Sequence, residues 1–167
     1  MSAPAGREQP WSDERDQQGR IVVVTDNPIA RAVVAIAEVV GRPATLLPDE
    51  DVDRTPAQWL AENPLEERDA LVLCDHDTPD VQALLTRALE GRAGYVAMMG
   101  SRRRAEAVYA WLTETMPPEA LTRLHVPAGL DTGGKAPGEI ALSVVAEIVA
   151  VSHGRAGGPM RGAATTA

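Results

Sequence analysis

Hydrophobic positions along this chain follow two periods. Short unbroken aliphatic runs read as strands covered on both faces: IVVV (Ile21 to Val24), ALVLC (Ala70 to Cys74) and YVAMM (Tyr95 to Met99), with the shorter ATLL (Ala44 to Leu47) beside them. Between the runs, apolar residues recur every three or four positions. Ile29, Val33, Ile36, Ala37 and Val40 mark one face of a helix that Asn27 caps, Pro28 opens and Gly41 stops. Thr55-Pro56 opens a short helix carrying Trp59 and Leu60. Thr78-Pro79 repeats the cap-and-proline signal for a helix to about Glu90. Gly100-Ser101 precedes a helix through Leu112, and Pro117-Pro118 ends it. Leu124 to Val126 reads as a last short strand, and Pro137 opens a final helix to about Ser152.

Strand and helix alternate with no hairpin turn signal. The pattern predicts an α/β fold: a Rossmann-like doubly wound sheet, mostly parallel, with helices on both faces. A ligand site is then expected at the carboxyl ends of the strands, near the switch in strand order. Residues 20–153 form the expected single domain. Residues 1–19, polar and carrying Pro4 and Pro10, read as a disordered leader in which Trp11 is the residue suited to docking. Residues 154–167, GRAGGPMRGAATTA, read as a disordered tail.

Composition narrows the class. Hydrophobic residues make up 44% and charged residues 24%, as in an ordinary globular domain, and with no Phe the core must be aliphatic. A net charge of −8 argues against nucleic acid and anionic membranes as partners, though a local basic site for a small anion stays open. The lone Cys74 rules out a disulfide framework and a cysteine-based zinc site. With no run of transmembrane length and no signal pattern, the expected location is the cytoplasm.

Four stretches carry possible chemistry. The first turn, Thr25-Asp26-Asn27-Pro28, lies where a dinucleotide fold keeps its glycines. It has none, and Pro28 lacks an N–H to offer an anion. It reads as a self-capped helix start, with Asp26 favourable at the helix N-terminus. GLDTGGKA (Gly129 to Ala136) nearly matches a phosphate loop, but Ala136 replaces the hydroxyl residue that would bind magnesium. It reads as a flexible glycine-rich loop with one cation, Lys135. Gly100-Ser101-Arg102-Arg103-Arg104 places three arginines in a first helical turn, where the dipole disfavours them. Either they serve an anion or a partner's carboxylates, or Ser101 is an N-cap and the arginines are simply solvated. Asp75-His76-Asp77-Thr78-Pro79-Asp80 reads as a capped strand-to-helix turn rather than a metal site, since no second ligand histidine lies near. No metal site and no catalytic residue is predicted. His125 and His153 carry no motif of their own.

The second half resembles a known family. YVAMMGSRRR (Tyr95 to Arg104) and LHVPAGLDTGGKAPGEIALSVVAEIVA (Leu124 to Ala150) are similar to the C-terminal Rossmann domain of the xanthine dehydrogenase accessory protein (XdhC/CoxI) family. Tyr95, Gly100, Ser101, Arg102 and Arg103 match its first motif. Pro127, Gly129, Leu130, Asp131, Gly133, Pro137, Glu139, Ile140, Ala141, Ser143, Ala146, Glu147 and Ile148 match its second. His76 and Asp77 resemble its T-H-D turn. The chain departs from the family at Thr25 to Pro28, where members carry G-A-G-H, and at Ala97, where they carry glycine. The family's separate N-terminal domain is expected to be lacking.

The resemblance implies a role in maturing molybdenum hydroxylases of the xanthine or carbon monoxide dehydrogenase type. It implies a chaperone rather than a catalyst, one that binds molybdenum cofactor (molybdopterin) and helps deliver it. The implied cofactor-binding residues are Gly100, Ser101, Arg102, Arg103, Asp131, Gly133, Glu139 and His76. The two loops are expected to converge at the strand ends, the arginines meeting phosphate while Asp131 and Glu139 orient them. The implied partners are the apo-hydroxylase or a separate XdhC/CoxI-type protein, with the chain itself a homodimer. A ligand-free scaffold that docks such a partner is the alternative. A nicotinamide-dependent oxidoreductase follows from the fold alone, and the missing glycines count against NAD(P).

Overall fold

The computed structural model describes residues 18–49, 53–75, 77–78 and 80–161. The expected leader lies outside the described residues up to Gln17, as do residues 162–167 of the expected tail.

Five strands form one sheet. They are β1 (Ile21–Val24), β2 (Ala44–Leu47), β3 (Ala70–Leu73), β4 (Tyr95–Met98) and β5 (Leu124–His125). Six helices intervene: α1 (Pro28–Val39), α2 (Pro56–Glu62), α3 (Val81–Glu90), α4 (Arg102–Thr115), α5 (Pro118–Leu121) and α6 (Pro137–Ser152). The strand order is β2-β1-β3-β4-β5, and every pairing is parallel. This is the doubly wound sheet expected from the alternation of strand and helix.

Residue alternation along the strands divides the core. Val22, Val24, Leu71, Leu73, Val96 and Met98 face a layer containing Leu84, Leu85, Ala105 and Leu112 of α3 and α4. Ile21, Val23, Ala70, Val72, Tyr95 and Ala97 face α1 and α6 through Ala30, Val33, Ala37, Ala141, Val144 and Ile148. Nearly every one of these side chains is fully buried, which is why the strands read as continuous apolar runs rather than alternating ones. At about 25 cal/mol per Å² of apolar area removed from water, these two layers supply the main drive to fold. Arg42, buried beyond the end of α1, donates from Nη2 to Ser152 Oγ at 2.7 Å and ties α1 to the end of α6.

Several local expectations change. The helix after β3 is not capped by Thr78. It begins at Val81, with Asp80 in the cap position at φ 59° and no side-chain cap bond. Thr78 instead turns inward, 4% exposed, and commits its hydroxyl to Thr25 and to the Asp75 carbonyl, so it has none for the helix start. Pro79 lies outside the described residues. Pro118 does not merely end a helix. α4 runs to Thr115, and Pro118 opens the short α5, since a proline that cannot continue one helix is well placed at the start of another. Cys74, Met99 and Val126 fall one residue beyond their strands. Among the described residues no helix is long and apolar enough to cross a membrane.

Candidate functional site

In the order β2-β1-β3, the chain steps from β1 to one side and then crosses to the other. The switch point therefore lies between the carboxyl ends of β1 and β3. Side chains of this chain cross it. Asn27 caps α1 as predicted, its Oδ1 accepting from Ala30 N at 2.9 Å, while its Nδ2 donates to the Cys74 carbonyl at 3.0 Å. Thr25 is 7% exposed and sits at φ 78°, a left-handed conformation uncommon for a β-branched residue. Its hydroxyl meets that of Thr78 at 2.5 Å and donates to Asp49 Oδ1 at 2.9 Å. Dinucleotide folds use an acid at the end of their second strand to hold a ribose hydroxyl. Here the acid following β2 takes a threonine hydroxyl. Asp26 pairs with Arg31 at 2.7 Å, and that hydrogen bond holds its carboxyl below the usual range.

The arginine loop emerges from the end of β4. Ser101 is the N-cap of α4, its Oγ accepting from Arg104 N at 3.2 Å. The serine and the three arginines after it are exposed. Arg104 reaches Asp77 Oδ1 at 3.5 Å. A hollow of about 300 Å³ is lined by Ser101, Arg103, Arg104 and Ala107. The cap and the display of arginines coexist, so the two readings of this loop are not exclusive.

The glycine-rich loop between β5 and α6 is held from below. Gly129 has φ 99°, and a Cβ there would stand 2.4 Å from Ser143 Oγ, so only glycine fits. Leu130 N donates to the Ser143 carbonyl at 3.2 Å. Glu139 Oε2 accepts from Lys135 N at 3.0 Å and from Ala136 N at 3.2 Å. Its carboxylate thus caps its own helix rather than orienting the arginines, because the unpaired N–H groups of that helix start are the nearest donors. Asp131 and Gly133 are exposed, with Gly133 at φ 74°.

The two loops share an edge of the sheet. Ala128 N donates to the Met98 carbonyl at 3.1 Å, so both loops leave adjacent strand ends. From there α4 joins one helical layer and α6 the other. Among the described residues, no hydrogen bond or ion pair links Asp131, Gly133 or Glu139 to Ser101, Arg102 or Arg103. His76 lies outside the described residues; beside it, Asp77 N donates to Asp75 Oδ1 at 2.9 Å. The described residues contain no group of three or more His, Cys, Asp or Glu suited to a metal. Cys74 is buried, and burial, with the nearby Asp75 charge, pushes its thiol up to about 12. A hollow of about 680 Å³ between α2 and α3 involves none of these candidates.

A polar cluster under the glycine-rich loop escaped the sequence reading. Glu147 Oε2 accepts from Tyr95 Oη at 2.5 Å and from Gly129 N at 2.8 Å, and its Oε1 lies 3.3 Å from His125 Nδ1. The Tyr95 and His125 rings stack at 4.4 Å. Burial acts to raise the Glu147 carboxyl, but the hydrogen bonds from His125, Tyr95 and the Gly129 N–H bring it below its ordinary value. Burial, then the charge and hydrogen bond of Glu147, push the Tyr95 hydroxyl far up, so it remains a donor. The signal was present in the sequence: one carboxylate inside the apolar run ALSVVAEIVAV must find partners.

A family model described as the XdhC Rossmann domain matches residues 21–148. The chain belongs to the XdhC Rossmann domain family. Among its relatives, a protein of Escherichia coli (strain K12) named uncharacterized protein YqeB is 34% identical over 93 residues, 55% of this chain and 17% of that protein. A Bacillus subtilis (strain 168) protein, named as a probable xanthine dehydrogenase subunit, is 32% identical over 101 residues, 60% of this chain and 29% of that protein. A crystal structure titled as a xanthine dehydrogenase from Bacillus halodurans superposes with a TM-score of 0.68 at 22% identity, covering 88% of this chain and 45% of that one. At that identity the likeness shows the fold. This XdhC-type chain thus spans less than half the length of each of these relatives.

Proposed function

We propose that this XdhC-type domain is an accessory protein of a molybdenum hydroxylase system of the xanthine dehydrogenase kind. In this reading it holds molybdenum cofactor through the arginine loop and helps deliver it to the apo-enzyme, acting in the cytoplasm as a homodimer. The observation that carries the reading is the display of Arg102, Arg103 and Arg104 at the carboxyl end of β4. In an acidic chain, a guanidinium cluster beside a hollow suits a phosphate group, which planar N–H forks can grip in pairs. Arg102 and Arg103 would hold the phosphate of the molybdopterin, and Ser101 Oγ would keep the arginines on a fixed helical turn. The bound cofactor supplies the redox chemistry of the client enzyme. This chain binds and orients it.

The family resemblance and the named relatives support the accessory role, and the charge and position of the loop support the cofactor contact. Retention of purified molybdenum cofactor in ultrafiltration tests the reading. Wild type should retain it, and the Arg102→Ala/Arg103→Ala variant should lose most of that retention. No retention with or without the apo-hydroxylase would sink it.

The self-occupied switch point favours a second reading. A domain whose Thr25, Asn27, Asp49 and Thr78 take up the polar groups of that crevice suits a ligand-free scaffold docking a separate XdhC/CoxI-type protein or the apo-enzyme. A pull-down that recovers neither would count against it. The same contacts weigh against NAD(P) at the first turn.

A further inference from the structure

The chain after α6 turns back on its own helix. Gly154 sits at φ 64°, and two backbone bonds close the reversal: Gly154 N donates to the Val151 carbonyl at 3.0 Å and Arg155 N to the Ala150 carbonyl at 2.8 Å. Glycine permits this left-handed turn, which satisfies the last carbonyls of the helix. Arg42 fixes the base of the turn through Ser152 Oγ. Two residues beyond Arg155, Gly157 takes φ 79°, and a Cβ there would stand 2.9 Å from Leu130 Cδ1 and 3.5 Å from Ala150 Cβ. The returning chain therefore lies directly on Leu130. Gly158, by contrast, has open space where a Cβ would be.

Leu130 is the first side chain of the glycine-rich loop, and it is half-buried. Its N–H donates to the Ser143 carbonyl at 3.2 Å, and Gly129 before it donates to Glu147 Oε2 at 2.8 Å. Thus α6 holds the backbone at the start of the loop, and the returning chain holds the side chain. The exposed Asp131 and Lys135 follow in the same loop.

We infer that residues 154–158 are a strap that latches the glycine-rich loop, and that strap and loop open together. The contact is small and apolar, a glycine against one leucine and one alanine. Its release exposes far less apolar surface than freeing α6, whose inner face is buried through Ala141, Val144, Val145 and Ile148. A segment joined by so few buried contacts lies at the low-stability end of a fold and opens before the core does. Linkage makes the coupling reciprocal: whatever lifts the strap frees the loop, and whatever fixes the loop seats the strap. A protein that takes hold of residues 158–161 would thereby reset the loop that carries Asp131 and Lys135. The inference is independent of cofactor binding at the arginine loop, since α4 packs in the other helical layer.

Amide hydrogen exchange of the full chain, followed by NMR, tests the coupling. Gly157→Val puts a β-branched side chain at positive φ and drives it into Leu130, so it should speed exchange at both Arg155 and Leu130 by at least about tenfold. Gly158→Val, in open space, should change neither. Leu130→Ala removes the seat from the other side and should speed exchange at Arg155 by a similar factor, with residues 156–161 moving towards random-coil shifts. The Val96 amide, in the centre of the sheet, reports global folding and should stay protected in all three variants, which separates release of the strap from unfolding. Gly157→Val that frees Arg155 but leaves Leu130 unchanged would overturn the inference. So would Leu130→Ala that leaves the Arg155 amide as protected as in wild type, or a response to Gly158→Val as large as that to Gly157→Val.

Discussion

Thr25 is the most unusual residue in the described part of the molecule. It holds φ 78°, a conformation that suits glycine, and a left-handed β-branched residue costs on the order of 1–3 kcal/mol. Its bonds to Thr78 and Asp49 are what keep it there. Thr25→Val keeps the shape and the strain but removes the hydroxyl, leaving two polar partners short. We predict a loss of about 1–3 kcal/mol in urea unfolding. Thr78→Val should cost a similar amount, and the double variant clearly less than the sum, because both remove one shared interaction. Strict additivity would show that the two hydroxyls do not cooperate.

Glu147 makes the second residue-scale prediction. Its folded carboxyl sits below its ordinary value, so its contribution is fully present above the unfolded-state value and is lost as pH falls through the folded one. Wild type should therefore be more stable than Glu147→Gln at pH 7, by about 2 kcal/mol for a charge accepting several hydrogen bonds. The gap should close as the solution is acidified through the carboxylate range. A gap that stays constant in pH-dependent thermal melts would show that the charge contributes nothing.

At the scale of elements, what was legible in the sequence was local. Asn27 and Pro28 are neighbours of the helix they start, so capping chemistry alone identifies them. Thr78 carried the same signal and misled, because its hydroxyl answers to Thr25, 53 residues away. The Tyr95–Glu147 contact joins residues 52 apart, and no spacing rule reaches that far, although the lone carboxylate in α6 was a hint. The two loops leave adjacent strand ends, as expected, but α4 and α6 then pass to opposite faces, so no local rule in the sequence fixes how the loops' side chains sit relative to one another. Two element-scale predictions follow from packing and capping. Ala37 is fully buried between α1 and the rest of its layer, so Ala37→Leu should cost about 1–3 kcal/mol by overpacking. Glu139→Ala should cost about 1 kcal/mol by uncapping α6, read by chemical denaturation, and by itself should leave anion binding at the arginines unchanged.

For the whole molecule, charge and topology divide the upper edge of the sheet. Asp26, Asp49 and Asp75 follow the ends of β1, β2 and β3, around the switch point, while Arg102 to Arg104 stand at the end of β4. An anion approaching this edge meets repulsion at the place where a dinucleotide fold would bind it and attraction one strand beyond β3. We therefore propose that an anion binds at the arginine loop and not at the first turn. Backbone amide chemical shifts during a pyrophosphate titration test it most directly. Saturable shifts are expected to concentrate at Gly100 to Arg104, with the amides of Asp26, Asn27 and Ile29 unmoved. Shifts concentrated at Asp26 to Ile29, with the arginine loop silent, would contradict it.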